Sequence, residues 1–125
     1  MKALVIIAHG SRRQASNEGV SNLTQLIANE MQDEYPIVLA GFLELADPLI
    51  PAAIDACIEQ GAKEIAIIPY FLSAGRHVHE DIPNEVQKSR EQHPQISMQI
   101  LQHIGGAPQM KDLIRASVTK QQLSE

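Results

Sequence analysis

The chain has 125 residues, 44% of them apolar and 20% charged, with a net charge of −5. This length predicts one domain, residues 1–125, which can bury about two thirds of the surface of its unfolded chain. The acidic balance and the scarcity of aromatic side chains argue against a nucleic-acid-binding protein. Cys57 is alone, which excludes an intrachain disulfide scaffold, and the longest apolar run, residues 3–8, predicts neither a membrane span nor a signal peptide. We therefore expect a cytoplasmic protein without membrane association.

Apolar runs alternate with amphipathic stretches along the chain. The first run, residues 3–8, is continuous, as in a strand that is covered on both faces. Ser11 and Gln14 have the spacing of a capping box at a helix start. Apolar residues at three- and four-residue steps then indicate one face of a helix that ends before Pro36: Val20, Leu23, Ile27 and Met31.

The middle of the chain repeats this pattern. Residues 37–43 predict a second strand, and Asp47 followed by Pro48 is typical of an N-cap with proline at the first helical position. Gly61 suits a left-handed position after the helix that follows. Residues 64–72 predict the third strand, which is again continuously apolar after its first residue.

The last part of the chain predicts a loop, a helix, a strand and a final helix. The loop covers residues 73–80, and the helix after it starts at Asp81-Ile82-Pro83 and ends at His93. Residues 96–101 alternate in polarity, so we expect this strand at an edge of the sheet. The final helix follows Pro108 and is expected to bury its apolar residues, which are Met110, Leu113, Ile114 and Val118.

The alternation of strands and helices predicts an α/β fold: one three-layer domain with a four-stranded parallel sheet flanked by helices. Right-handed crossovers leave few topologies, and we expect the strand order 2-1-3-4, as in half of a flavodoxin-like sheet. Ligands of such open sheets bind beyond the carboxyl ends of the strands, where the strand order switches. The functional site is therefore expected at that edge.

Three predicted strand ends deliver side chains that suit metal chemistry to this edge. His9 follows the first strand, Glu44 the second and His77 the third. Histidine and glutamate are ligands for first-row divalent metals, and a neutral imidazole accepts protons at physiological pH. We predict that these three residues cluster. The other polar or small residues at the same edge are Ser11, Arg12, Arg13, Ser73, Gly75, Arg76, His79 and His103.

Each of these residues also has a purely structural interpretation. His9 could cap a helix or bond a backbone carbonyl, Glu44 could be an ion-pair partner in a loop, and the arginines could be solvated surface charges. His77 and His79 share a side only if their loop is extended, since they are two residues apart. His103 is expected to be structural. No HExxH or paired CxxC motif occurs, so a permanently bound structural zinc is not expected.

Three motifs, in this order and at these spacings, carry a family resemblance. They are AHGSRR after the first strand, GFLELADPLIPAAI around Glu44 and IPYFLSAGRHVHEDIP around His77. Together they resemble the small CbiX-type sirohydrochlorin chelatases, which are class II chelatases. The resemblance implies an enzyme, a lyase in cobalamin or sirohaem biosynthesis, that inserts Co²⁺, or in some members Fe²⁺ or Ni²⁺, into sirohydrochlorin. The metal is then a substrate, and no cofactor is permanently bound.

The resemblance also implies roles for individual residues. The family's two histidines, which bind the metal and remove protons, match His9 and His77, and its glutamate matches Glu44. Because sirohydrochlorin is polyanionic, exposed arginines near the site can pair with its carboxylates. The expected substrate-binding residues are Ser11, Arg12, Arg13, Ser73, Gly75 and Arg76. His79 and His103 stand where relatives often carry other residues, so neither receives a role.

A compact chain of this length has a radius of gyration of about 14 Å. That is small for enclosing a large flat tetrapyrrole, so we expect a homodimer whose subunits together shape the cleft. Two other functions stay open. One is a non-catalytic metal or tetrapyrrole carrier that uses the same histidines. The other is a phosphoryl enzyme of the histidine-phosphatase kind, although those proteins use Arg-His-Gly and Ala8 precedes His9 here.

Overall fold

The computed structural model describes residues 1–123. Within them strands and α-helices alternate as predicted. The strands are β1 (Lys2–Ala8), β2 (Ile37–Phe42), β3 (Glu64–Pro69) and β4 (Ser97–Ile100). The α-helices are α1 (Gln14–Glu30), α2 (Ile50–Glu59), α3 (Ile82–Gln92) and α4 (Met110–Leu123).

The four strands form one parallel sheet in the order β2-β1-β3-β4, which confirms the predicted topology. β1 pairs with β2 from Ala3 opposite Ile37 to Ala8 opposite Phe42, and with β3 along its other side. The four-residue β4 lies at an edge, as its alternating sequence predicted. The strand order switches at β1, so the carboxyl ends of β1, β2 and β3 are neighbours.

The core has two parts because successive residues of β1 face opposite sides of the sheet. On one side Val5 and Ile7 pack with α2 and α3, where Ile54 and Cys57 are fully buried. On the other side Ile6 belongs to a smaller cluster that includes the half-buried Ile27 of α1. Burial raises the pKa of the Cys57 thiol to about 12, because the thiolate would lose its hydration.

The predicted capping box is wrong, since α1 begins at Gln14 and has no side-chain cap. The Ser11 hydroxyl accepts a hydrogen bond from the Arg13 amide at 3.0 Å. The Asn17 side chain also holds Ser11, because its Oδ1 accepts from the Ser11 amide and its Nδ2 donates to the Ser11 carbonyl. These bonds hold residues 11–13 in a turn, so α1 begins only at Gln14.

The predicted start of the second helix is also wrong. α2 begins at Ile50, with Leu49 as its N-cap and a proline in its first turn. The Phe42 amide donates to the Pro48 carbonyl at 2.8 Å, and Phe42 forms a parallel bridge with Leu49. Residues 48 and 49 therefore extend alongside the end of β2 instead of entering the helix.

Two further segments differ from the prediction. β3 ends at Pro69, three residues early: its register with β1 stops at Ile7 opposite Pro69, and beyond it only the Tyr70 amide still donates to β1, to the Ile7 carbonyl at 2.7 Å. The predicted loop of residues 73–80 becomes helical at its end, where His77–Asp81 forms a π-helical turn that leads into α3. Gly61 has the expected positive φ, at 106°.

α4 does not bury its apolar residues, contrary to the prediction. The relative exposures of Leu113, Ile114 and Val118 are 59%, 58% and 51%. The main packing partner of α4 is a short 3-10 turn, Ile104–Gly106, and not the sheet. No helix of the described part of the chain is both long and apolar enough to span a bilayer.

Candidate functional site

A close backbone approach at the carboxyl edge brings the ends of β1 and β2 together. The Glu44 amide donates to the His9 carbonyl at 3.0 Å, which extends the pairing of the two strands. Gly10 lies between them with a φ of 93°, and a Cβ at this position would lie 1.7 Å from the Glu44 carbonyl oxygen. Only glycine fits there, both for its positive φ and for the missing side chain. Gly10 thus allows Glu44 to sit beside His9.

The His9 ring has a different partner on each nitrogen. Its Nδ1 is 2.9 Å from the Gly10 carbonyl oxygen, and its Nε2 is 3.4 Å from Glu44 Oε1. A carbonyl only accepts hydrogen bonds, so Nδ1 carries the proton, and in the neutral ring the lone pair is on Nε2. The lone pair and the carboxylate oxygen are both electron donors, so the arrangement suits a metal ion held by His9 and Glu44 together.

The second imidazole of the site comes from the π-helical turn. His77 Nδ1 is 2.7 Å from Asp81 Oδ2, four residues along the turn. The ring meets His9 edge-to-face, with centroids 4.8 Å apart, and lies 6.2 Å from the Phe71 ring. Because the carboxylate accepts, Nδ1 donates and the neutral His77 ring also has its lone pair on Nε2. His9 therefore contacts both other residues of the predicted cluster, Glu44 and His77.

A cleft of about 540 Å³ opens beside these residues, between the end of β2 and α3. Its lining is rich in carboxylates: Glu44, Asp81, Glu85 and Glu91. Lys88 also lines it, but its ammonium lies 3.1 Å from Glu85. The cleft therefore carries negative charge, which suits a cation better than an anion.

The predicted substrate-binding residues lie on the loops around the site and mostly in solvent. Arg12, Arg13, Ser73 and Gly75 are exposed. The Arg76 side chain is 81% exposed and its Nε bonds Glu80 at 3.1 Å. Ser11 is half-buried, and its hydroxyl is used in the turn before α1. Exposed guanidinium groups remain accessible to a ligand's carboxylates.

The remaining histidines have other surroundings. His79 is exposed on the π-helical turn and His103 is half-buried before the 3-10 turn. His93 Nε2 lies 3.1 Å from Asp55 Oδ1 and joins the end of α3 to α2. Within residues 1–123 no three His, Cys, Asp or Glu side chains form a ready-made metal site. His9 contacts Glu44 and His77 separately, and the three side chains do not form a closed set of ligands.

Two residues of this site, Asp81 and Gly10, have no functional role in the prediction from sequence. Asp81 was assigned only to a helix start, although its four-residue spacing from His77 on a helical turn would have signalled the pair. Gly10 belongs to the AHGSRR motif after the first strand, and the sequence gives it no role. The close approach of Gly10 to the Glu44 carbonyl joins segments that are far apart in sequence, so no local pattern predicts it.

The model of the CbiX family matches residues 3–121. The chain belongs to the CbiX family. A sirohydrochlorin ferrochelatase of Priestia megaterium is 39% identical over 99 residues, which are 78% of this CbiX protein and 36% of that relative. A sirohydrochlorin cobaltochelatase of Sulfolobus acidocaldarius is 30% identical over 120 residues, 96% of this chain and 92% of the relative. The family resemblance of the three motifs is thus confirmed.

A solved structure resembles this CbiX protein along most of its length. It is the sirohydrochlorin chelatase SirB from Bacillus subtilis subspecies spizizenii in complex with cobalt, with a TM-score of 0.84 and 25% identity. The match covers 95% of this chain and 50% of SirB. This chain likewise spans about half the length of several curated relatives. The fold is therefore that of the chelatases.

Proposed function

We propose that this protein inserts a divalent metal ion into sirohydrochlorin, in the biosynthesis of cobalamin or sirohaem. The observation that carries the proposal is the contact of His9 with both Glu44 and His77 where the strand order switches. The relatives support the choice of substrate, because they are named sirohydrochlorin chelatases of iron and of cobalt. Co²⁺, Fe²⁺ and Ni²⁺ all suit imidazole and carboxylate ligands.

In the proposed mechanism the metal ion binds to Nε2 of His9 and of His77. Both nitrogens carry a lone pair in the neutral rings, because each Nδ1 donates to an oxygen. Insertion removes two N–H protons from the macrocycle while four ring nitrogens bind the metal. Glu44 and the released imidazoles accept these protons. The open arrangement supports transfer, since a closed ligand set would retain the ion.

We propose that the macrocycle lies over the loops that follow β1 and β3. Arg12, Arg13 and Arg76 supply exposed positive charge there for its carboxylates. The other predicted substrate-binding residues on these loops are Ser11, Ser73 and Gly75. The cleft beside α3 carries carboxylates instead, so it suits the metal ion better than the polyanionic ring. The two substrates would then reach His9 and His77 from different sides.

We further propose that the protein forms a homodimer through the apolar face of α4. Leu113, Ile114 and Val118 are more than half exposed there, although an apolar stripe of this kind is normally buried. The match covers 50% of the SirB chain, and a second copy of this chain would supply a second domain beside the first. Two copies of α4 packed together would cover both stripes.

Light scattering of Ile114→Glu tests the dimer. We expect the wild type to be a dimer and this variant a monomer at tens of micromolar protein. Leu26→Glu on α1 is the matched control, because Leu26 is 64% exposed but lies on another helix. A monomeric wild type, or a dimeric Ile114→Glu, contradicts the proposed interface.

The metallation assay uses purified protein with sirohydrochlorin and Co²⁺, Fe²⁺ or Ni²⁺ in turn, followed by the absorbance of the macrocycle. We expect repeated turnover with at least one metal, and a loss in His9→Ala. Product that stops at one equivalent per site identifies a carrier instead of an enzyme. No acceleration over the protein-free reaction with any of the three metals contradicts the proposed function.

A further inference from the structure

The His77 and Asp81 side chains are in close contact, with His77 Nδ1 2.7 Å from Asp81 Oδ2. Both belong to the π-helical turn His77–Asp81, which the Ile82 amide closes by donating to the His77 carbonyl. π-helical turns are rare, and many of them occur at functional sites. The turn places an imidazole and a carboxylate in direct contact at the edge of the sheet.

The fold gains little from this pair. The His77 and Asp81 side chains are 44% and 37% exposed, and a solvated pair contributes little to stability. The contact does have a chemical consequence for His77. A carboxylate on one imidazole nitrogen fixes the tautomer, orients the ring and makes the other nitrogen a better metal ligand.

We propose that Asp81 is the positioning residue of His77. It keeps the proton of the neutral ring on Nδ1 and directs the Nε2 lone pair away from the turn, on a ring that contacts His9. The proposal rests on the proposed function, in that His77 is the imidazole that receives the metal. In this scheme Asp81 binds neither the metal ion nor the macrocycle.

The two imidazoles reach the same tautomer by different means. His9 donates to the main-chain carbonyl of Gly10, which no side-chain substitution removes. His77 depends on a side chain, so its orientation alone can be changed by a substitution outside the imidazole pair. Asp81 is therefore the point at which the positioning of one ligand can be tested separately.

The chain contains a matched control pair. His93 and Asp55 are 3.1 Å apart and join α3 to α2. Asp81 directly precedes α3 and His93 directly follows it. The 11 residues of α3, about 16 Å of helix, therefore separate the two pairs. Asp55→Ala removes a carboxylate from a histidine just as Asp81→Ala does, but away from the site.

The first measurement is the ¹⁵N spectrum of labelled histidine in the metal-free protein at pH 8. We expect His77 to be the Nδ1–H tautomer in the wild type and in Asp55→Ala, and to shift towards the Nε2–H tautomer in Asp81→Ala. Asp81→Glu, which keeps a carboxylate, should restore the wild-type spectrum in part. An unchanged His77 spectrum in Asp81→Ala overturns the proposal. If Asp81→Ala does not fold, Asp81→Ser serves as the second variant.

The second measurement is titration with Co²⁺ alone. We expect Asp81→Ala to weaken metal binding by about 10- to 100-fold, as for other residues that orient a metal-bound histidine, and Asp55→Ala to leave it unchanged. Equal affinities for wild type and Asp81→Ala overturn the proposal. A wild type that binds Co²⁺ with the expected tautomer, yet never metallates sirohydrochlorin, contradicts the proposed function and leaves Asp81's role intact.

Discussion

The carboxyl edge of the sheet and the core under α2 are built on the same strands, but their side chains differ in exposure to solvent. At the edge, the side chains of His9, Glu44 and His77 are 42%, 57% and 44% exposed. In the core, Ile54 and Cys57 are fully buried. Apolar burial stabilises the fold, whereas exposed imidazoles and carboxylates contribute little to it and remain open to a ligand. Substitutions at the edge should therefore change chemistry, and substitutions in the core should change stability.

The largest effect on chemistry is expected for His77→Ala. If His77 has the proposed role of metal ligand and proton acceptor, its loss should lower the rate of metallation by about 10²- to 10⁴-fold. The free energy of unfolding should change little, because the ring is half exposed. Assays with sirohydrochlorin and a fixed metal, together with urea unfolding, measure both effects.

His79→Ala is the matched control, since His79 is exposed on the same turn. It should keep near wild-type activity. If His79→Ala is inactive and His77→Ala is not, the assignment of the two histidines is wrong.

The converse effect is expected in the core. Ile54→Ala should lower the free energy of unfolding by about 2–5 kcal/mol, because it removes buried methyl groups and leaves a cavity. Ile54 is 0% exposed and packs in the larger cluster. The rate of metallation per folded molecule should stay close to that of the wild type. A large loss of metallation rate in fully folded Ile54→Ala would contradict the expectation that core substitutions change only stability.

Gly10→Ala should affect both properties, since the residue joins the two regions. A side chain at a φ of 93° is strained, and its Cβ would overlap the Glu44 carbonyl. We expect about 1–3 kcal/mol of destabilisation, and a loss of metallation as Glu44 moves away from His9. Unfolding and metallation assays test the two parts. Gly19→Ala on α1 is the control, because Gly19 has no positive φ and a Cβ there meets no atom within 4 Å.

At neutral pH the smallest effect is expected from the thiol in the core, because its raised pKa changes stability only in alkali. Burial raises the pKa of Cys57 to about 12 in the folded protein, against about 8.5 for an exposed thiol. The folded state therefore keeps its proton where the unfolded state loses it, so stability is lost as pH rises from about 9 towards 12. Urea unfolding should show a steeper fall over this range for wild type than for Cys57→Ala. Parallel pH profiles of the two proteins would contradict the raised pKa.

Much of the fold was predictable because each strand carries its own signal. Continuous apolar runs predicted the buried strands β1 and β3, and the alternating polarity of residues 96–101 predicted the edge strand β4. Parallel strands end at a common edge, so the residue that follows each strand could be assigned to that edge. The closeness of His9, Glu44 and His77 followed from this rule.

The final helix marks the limit of such patterns. Its apolar spacing predicted the helix itself, α4, but the expected burial of Leu113 and Ile114 was wrong. Periodicity shows which residues share a face, and it does not show what covers that face. The partner of α4 is a property of the assembled molecule.

The sequence by itself determined the alternation of strands and helices, the strand order and the edge that carries His9, Glu44 and His77. Apolar periodicity is a local property of the sequence, and the rules of parallel sheets hold for every such fold. A single sequence is therefore enough to apply both. Only the tertiary structure decided that Gly10 admits Glu44 beside His9, and that a π-helical turn sets Asp81 on His77. Ångström-scale contacts between distant segments depend on how the whole chain packs, and no local pattern encodes that packing.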